Sequence, residues 1–159
     1  MHINLTADGM YAFESSLLKA AERGDDLKPV LEVIARKMIL HEKRVFDTSG
    51  ASVGRPWKVL DPETVAGKVK HGDPFPAKPL MGSLRLYHSL TQRGNPEMIL
   101  RITDSFIQYG TSVPYAGFLD DGTEDMDKRR PIMFSMNQAQ EYYRDIQNYI
   151  FNNELPKNA

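Results

Sequence analysis

The sequence predicts an α+β domain: helices packed on a small antiparallel sheet, with a long irregular Gly/Pro-rich central loop. Three observations predict it. Residues 28–46 place Leu31, Ile34, Met38 and Val45 at helical spacing, with Glu32, Arg36, Lys37 and Lys43 elsewhere. Residues 98–109 alternate apolar and polar side chains about a two-residue break. Residues 49–79 carry glycine and proline too densely for one regular element.

In chain order, Ile3 and Leu5 alternate with polar residues and predict a short strand over 2–6. Asp8 suits the cap of a helix running to about Arg23, with Met10, Phe13, Leu17 and Ala20 or Ala21 on one face, ended by Gly24. The helix over 28–46 follows, with Pro29 in its first turn. In the central loop, Gly54-Arg55-Pro56-Trp57 reads as extended. Asp61 and Pro62 start a short helix, and Gly72, Pro74, Pro76 and Pro79 prevent further regular structure. A helix over 80–91 puts Leu80, Leu84 and Tyr87 on one face and Leu86 and Leu90 on another. In the hairpin, an Asp104-Ser105 turn sets Ile102 opposite Ile107 and Leu100 opposite Tyr109. One helical turn over 115–119, a charged loop over 120–130, and a last helix capped by Asn137 complete the chain. That helix places Ala139, Tyr142, Tyr143, Ile146, Tyr149, Ile150 and Asn153 on one face, and a flexible tail spans 155–159.

The chain has 159 residues, 41% hydrophobic and 26% charged, which suits a single domain over 1–159. Its 20 basic and 21 acidic residues leave a net charge of -1, so no global field draws it to nucleic acid or an anionic membrane. It has no cysteine, which excludes disulfides, thiolate metal sites and a cysteine nucleophile. No apolar run is long enough to span a bilayer, and the first residues lack a signal-peptide pattern, so the expected location is the cytoplasm of the cell that makes it.

The residues assemble no catalytic or metal motif. His41-Glu42 begins like a zinc-protease pattern, but Val45 stands where the second histidine belongs. His71 and His88 pair with nothing. Asp120, Asp121, Glu124, Asp125 and Asp127 lack calcium-loop spacing and read as a solvated loop followed by Lys128-Arg129-Arg130. Ser83, Ser89 and Ser135 lie outside any nucleophile elbow. No cofactor is expected. Trp57, just after Arg55, reads either as a recognition hot spot or as a plug fixing the loop to the core.

The order of the irregular segments carries further information. Gly54-Arg55-Pro56-Trp57-Lys58-Val59-Leu60 precedes Pro62-Glu63-Thr64. Then come Leu80-Met81-Gly82-Ser83-Leu84 with Ser89-Leu90, Tyr109-Gly110-Thr111, Pro114-Tyr115-Ala116, Asp121-Gly122-Thr123 and Arg129-Arg130-Pro131-Ile132-Met133. Over residues 30–150 this resembles the phage virion morphogenesis family, the tail completion proteins of Mu-like and P2-like tailed phages. It departs in its proline-rich 70–78 and in Asp120-Asp121. The resemblance implies a structural virion protein, not an enzyme, that completes the tail end and joins tail to head. It also implies a homo-oligomeric ring, sixfold favoured, meeting tail-tube and neck or connector proteins at the virion neck or tail terminus. Arg55, Trp57, Tyr115, Arg129 and Arg130 are then the interface candidates. The alternative is a small nucleic-acid-binding or packaging accessory module using Lys68, Lys70, Lys78, Lys128, Arg129 and Arg130.

Overall fold

A computed structural model describes the backbone of residues 7–124 and 126–157, and side chains from residue 15 on. The strand expected over 2–6, and the face assigned to Met10 and Phe13, lie outside the described residues. Six α-helices are described: α1 (Ala7–Asp25), α2 (Lys28–Asp47), α3 (Pro62–His71), α4 (Arg85–Thr91), α5 (Ala116–Asp121) and α6 (Met136–Asn152). They pack with a hairpin of β1 (Met98–Ile102) and β2 (Ile107–Thr111), which makes the fold α+β.

α2 is the spine. Val30, Leu31 and Ile34 bury one end of it against Tyr149 of α6, with Ile102 and Ile107 of the hairpin packed alongside. Val45 and Phe46 bury the other end among Trp57, Met81, Leu86, Leu90, Val113 and Met133. Between these clusters Lys37 bonds Glu141 (2.7 Å) and Asp145 (2.8 Å) of α6. Partial burial pulls the Lys37 ammonium's pKa down, but the two carboxylates outweigh it and hold the pKa above its ordinary value. At the start of α2, Asp26 Oδ1 accepts the Lys28 N–H, and the Leu27 N–H reaches the Asp104 carbonyl at the hairpin tip (2.8 Å).

The hairpin has the expected register, with Ile102 opposite Ile107 and Leu100 opposite Tyr109. Its inner residues are half-buried, and Arg101 and Gln108 face out. Four expectations change. α1 continues through Gly24 to Asp25, because one glycine near a helix end costs only about 1 kcal/mol. α4 starts at Arg85, not at residue 80, because Leu80 and Leu84 sit at φ 59° and 61°, a left-handed conformation that interrupts a helix. Both side chains pack against the Phe46 cluster, which holds the backbone there. The cap of α6 is Ser135 rather than Asn137: Gln138 N–H donates to Ser135 Oγ, and Ser135 N–H to Gln138 Oε1. On α6, Tyr149 is buried and Tyr142, Ile146 and Ile150 are half-buried, whereas Ala139, Tyr143 and Asn153 are exposed.

The central segment holds more structure than a loop. A 3₁₀ turn spans Ala51–Val53, and α3 runs ten residues from the Asp61-Pro62 start to Gly72. Trp57 and Pro79 are buried. Lys68 Nζ bonds the carbonyls of Phe75 (3.2 Å) and Lys78 (2.8 Å), closing the proline-rich stretch onto α3.

The segment is attached to α2 by a turn at Gly50, whose N–H bonds the Val45 carbonyl (2.8 Å) and whose carbonyl accepts from Arg55 N–H. Its φ is +84°, and an added Cβ would stand 2.3 Å from the Arg55 carbonyl oxygen. Gly50→Ala therefore both strains the backbone and forces the turn open, with an expected loss of about 2 kcal/mol or more in a urea melt. An unchanged melt would show that Trp57 is held without this turn.

Candidate functional site

The five interface candidates do not form one patch. Trp57 is buried, 6% exposed, with its ring edge-on to Phe46 at 5.3 Å between centroids. Its indole N–H donates to the Arg130 carbonyl (3.0 Å), so both halves of the side chain are committed inside the chain. Of the two readings of Trp57, this placement is the core plug. Arg55 is exposed on the preceding turn, and its side chain has no described partner. Tyr115, also exposed, begins α5 and lines a hollow of about 180 Å³ with Leu80, Leu84 and Leu119.

Arg129 and Arg130 are brought to Trp57 but turned in opposite directions. The Arg129 N–H bonds the Leu119 carbonyl of α5 (2.8 Å), and its Nε donates to the Lys58 carbonyl (3.1 Å). That side chain is only 11% exposed. Arg130 is 46% exposed, and its Nε lies 3.6 Å from Asp120 Oδ1, a loose ion pair. Lys58 Nζ meets Asp127 Oδ2 at 2.9 Å. This contact raises the Lys58 pKa and lowers that of Asp127. Beside the clasp lies an open basin of about 550 Å³, whose walls include Lys58, Asp61, Asp121, Glu124, Asp127 and Lys128. Charges of both signs thus stand on one surface around a buried tryptophan. Among the described residues no three His, Asp or Glu side chains are placed to hold a metal ion.

Among the described residues the most perturbed carboxyl is Glu42, which the sequence offered only as part of an incomplete zinc-protease pattern. Glu42 is fully enclosed on α2, and neither carboxylate oxygen has a hydrogen-bond partner. Burial pushes its pKa up to about 8, against a smaller opposing pull from the Met133 backbone, which lies close without making a bond of ordinary geometry. Burial also raises the pKa values of Tyr109 and Tyr142, and the nearby Glu42 charge adds to both. Next to it, His41 Nε2 donates to the Met133 carbonyl (2.8 Å), which leaves Nδ1 to accept from the Gln138 side-chain amide. The ring stacks on Phe134 at 5.5 Å. His41 thereby fastens the cap of α6 to α2. A carboxyl enclosed in this way holds its proton inside the fold.

Two outcomes follow from this geometry. Trp57→Ala removes a buried ring and leaves the Arg130 carbonyl unpaired, with an expected loss of roughly 3–5 kcal/mol in chemical denaturation. A stable variant would mean that the ring is not part of the core. Glu42 binds its proton more tightly folded than unfolded, so stability is fully present below about pH 4.5 and declines as the pH rises toward about 8. The slope approaches about 1.4 kcal/mol per pH unit inside that window. Glu42→Gln should flatten the curve in urea melts between those pH values, and an equal slope in both proteins would place the titration elsewhere.

No family model, curated protein or solved structure matches the chain, so its own residues carry the functional argument.

Proposed function

We propose that the chain is a structural virion protein of a tailed phage or prophage, a ring subunit that completes the tail end and joins tail to head. It is made in the host cytoplasm and ends at the virion neck or tail terminus, and it performs no catalysis. Its neighbours are further copies, most simply six in a ring, together with tail-tube and neck or connector proteins. The ordered motifs from Trp57 to Met133 support this reading. The observation that carries it in space is the two-signed surface at 120–130. A closed ring joins unlike surfaces of successive subunits, and this segment offers both a half-exposed, loosely paired Arg130 and an acidic basin. An arginine fork held so can take a neighbour's carboxylate in bidentate fashion.

The nucleic-acid alternative draws less support. The ammonium groups of Lys68 and Lys78 rest on backbone carbonyls, Arg129 is turned onto the Lys58 carbonyl, and Arg130 faces Asp120. Lys68, Lys78 and Arg129 are thus spent inside the chain, and of these four cations Arg130 alone keeps a face to solvent. No helix among the described residues is long and apolar enough to cross a membrane.

The test is complementation in a phage or lysogen that lacks the gene. Deletion should leave filled heads and tails unjoined. The parent chain should restore infectious particles and Arg130→Glu should not. Because an exposed pair is worth about 1 kcal/mol or less, the purified variant should melt close to the parent. Normal titre from the deletion, or full rescue by Arg130→Glu, would sink the reading.

A further inference from the structure

Among the described residues the sheet has two strands, so each has an open edge there, and the register fixes which backbone groups β1 presents. Ser112 N–H bonds the Glu97 carbonyl and Thr103 N–H the Phe106 carbonyl, at the two ends of the ladder. Antiparallel pairs alternate between bonded and non-bonded. Ile99 and Arg101 therefore bond across to β2, while Met98, Leu100 and Ile102 direct their N–H and C=O groups away from it. The Met98 N–H is taken by the Asn95 carbonyl. The carbonyls of Met98, Leu100 and Ile102 and the N–H groups of Leu100 and Ile102 are left on the edge.

That edge borders a groove. It is about 470 Å³, floored by Met98, Leu100 and Ile102 and walled by Lys28 and Glu32 of α2 and by the 93–95 loop. One end is closed by the Glu32–Arg93 ion pair at 2.8 Å. At the other stands Lys28, whose ammonium pairs with no carboxylate among the described residues. The opposite strand, β2, has α4 against it.

We propose that the β1 edge takes an extended segment of a partner protein as a third strand. The segment is apolar at alternate positions, facing the groove floor, and carries an acidic side chain that meets Lys28. Main-chain bonds to Leu100 and Ile102 supply affinity, and the half-buried floor with its lone cation supplies selectivity. A second copy of the chain is the occupant the test must exclude, and the proposal is independent of the ring contact at Arg130. The rival account is a guarded edge, kept short and preceded by Pro96 so that nothing pairs with it.

The test uses the full isotope-labelled chain and a capped synthetic peptide, Thr-Val-Thr-Val-Thr-Val-Asp, with a second peptide ending in Lys. Binding should be saturable and should slow amide exchange at Leu100 and Ile102. Lys28→Glu should weaken the Asp peptide by about tenfold and reverse the preference toward the Lys peptide, while Arg130→Glu changes neither. Leu100 and Ile102 amides left unprotected at millimolar peptide would establish the guarded edge and overturn the proposal. So would protection that appears without peptide and rises with protein concentration, since a second copy would then be the occupant. Protection that ignores the charge at position 28 would overturn the acidic partner.

Discussion

Burial of α2 along nearly its whole length sets the requirement that the other elements meet. Val30, Leu31, Ile34, Val45 and Phe46 lie between fully and almost fully enclosed, and they do not all face one way. No single neighbour can cover them. α6 and the hairpin close one end, and α4, Trp57, Val113 and Met133 close the other. The irregular segments are therefore structural parts of the fold, brought in because a two-stranded sheet and short helices leave the second half of α2 uncovered. Trp57 is the largest piece brought in this way, and the Gly50 turn is what delivers it.

The dipeptide Arg129-Arg130 shows how a small backbone constraint divides labour between identical residues. Pro131 disfavours helix at the residue before it, so the chain runs extended there and successive side chains leave on opposite sides. Arg129 falls inward and stitches α5 to the Trp57 segment. Arg130 falls outward, while its carbonyl still holds the indole N–H. A surface charge thus stands on a backbone position fixed from beneath by a core residue, which is a rigid way to present a guanidinium.

What the sequence disclosed depends on how local the deciding force was. The hairpin register was legible down to the residue pair, because alternation and a short turn settle it within fourteen positions (98–111). The extent of α2 and the Asp61-Pro62 start were legible for the same reason. The start of α4 was not: Leu80 and Leu84 look helical by spacing, and only packing against Phe46 holds them left-handed. The Ser135-x-x-Gln138 box was present in the sequence and lost to a nearby asparagine. Glu42 falls between Met38 and Val45 on the apolar stripe of α2, so its burial was signalled by periodicity even though its charge argued against it. The link from Trp57 to Arg130 runs through a backbone carbonyl, which leaves no mark on residue type.

The span of that link bears on how the chain is made. The indole of Trp57 waits on a carbonyl 73 positions further along, and Arg23 waits on the Ile150 carbonyl, 127 positions away. During synthesis the amino-terminal helices can form as soon as they leave the ribosome, but the cluster around Phe46 cannot close until Met133 has emerged, nor the one around Tyr149 until the last helix has. Until then Phe46 and its neighbours are exposed on a nascent chain, open to chaperones and to proteases. Translation that stops short of the 131–150 region would yield a product with no completed core, whose uncovered apolar side chains favour aggregation and degradation over accumulation.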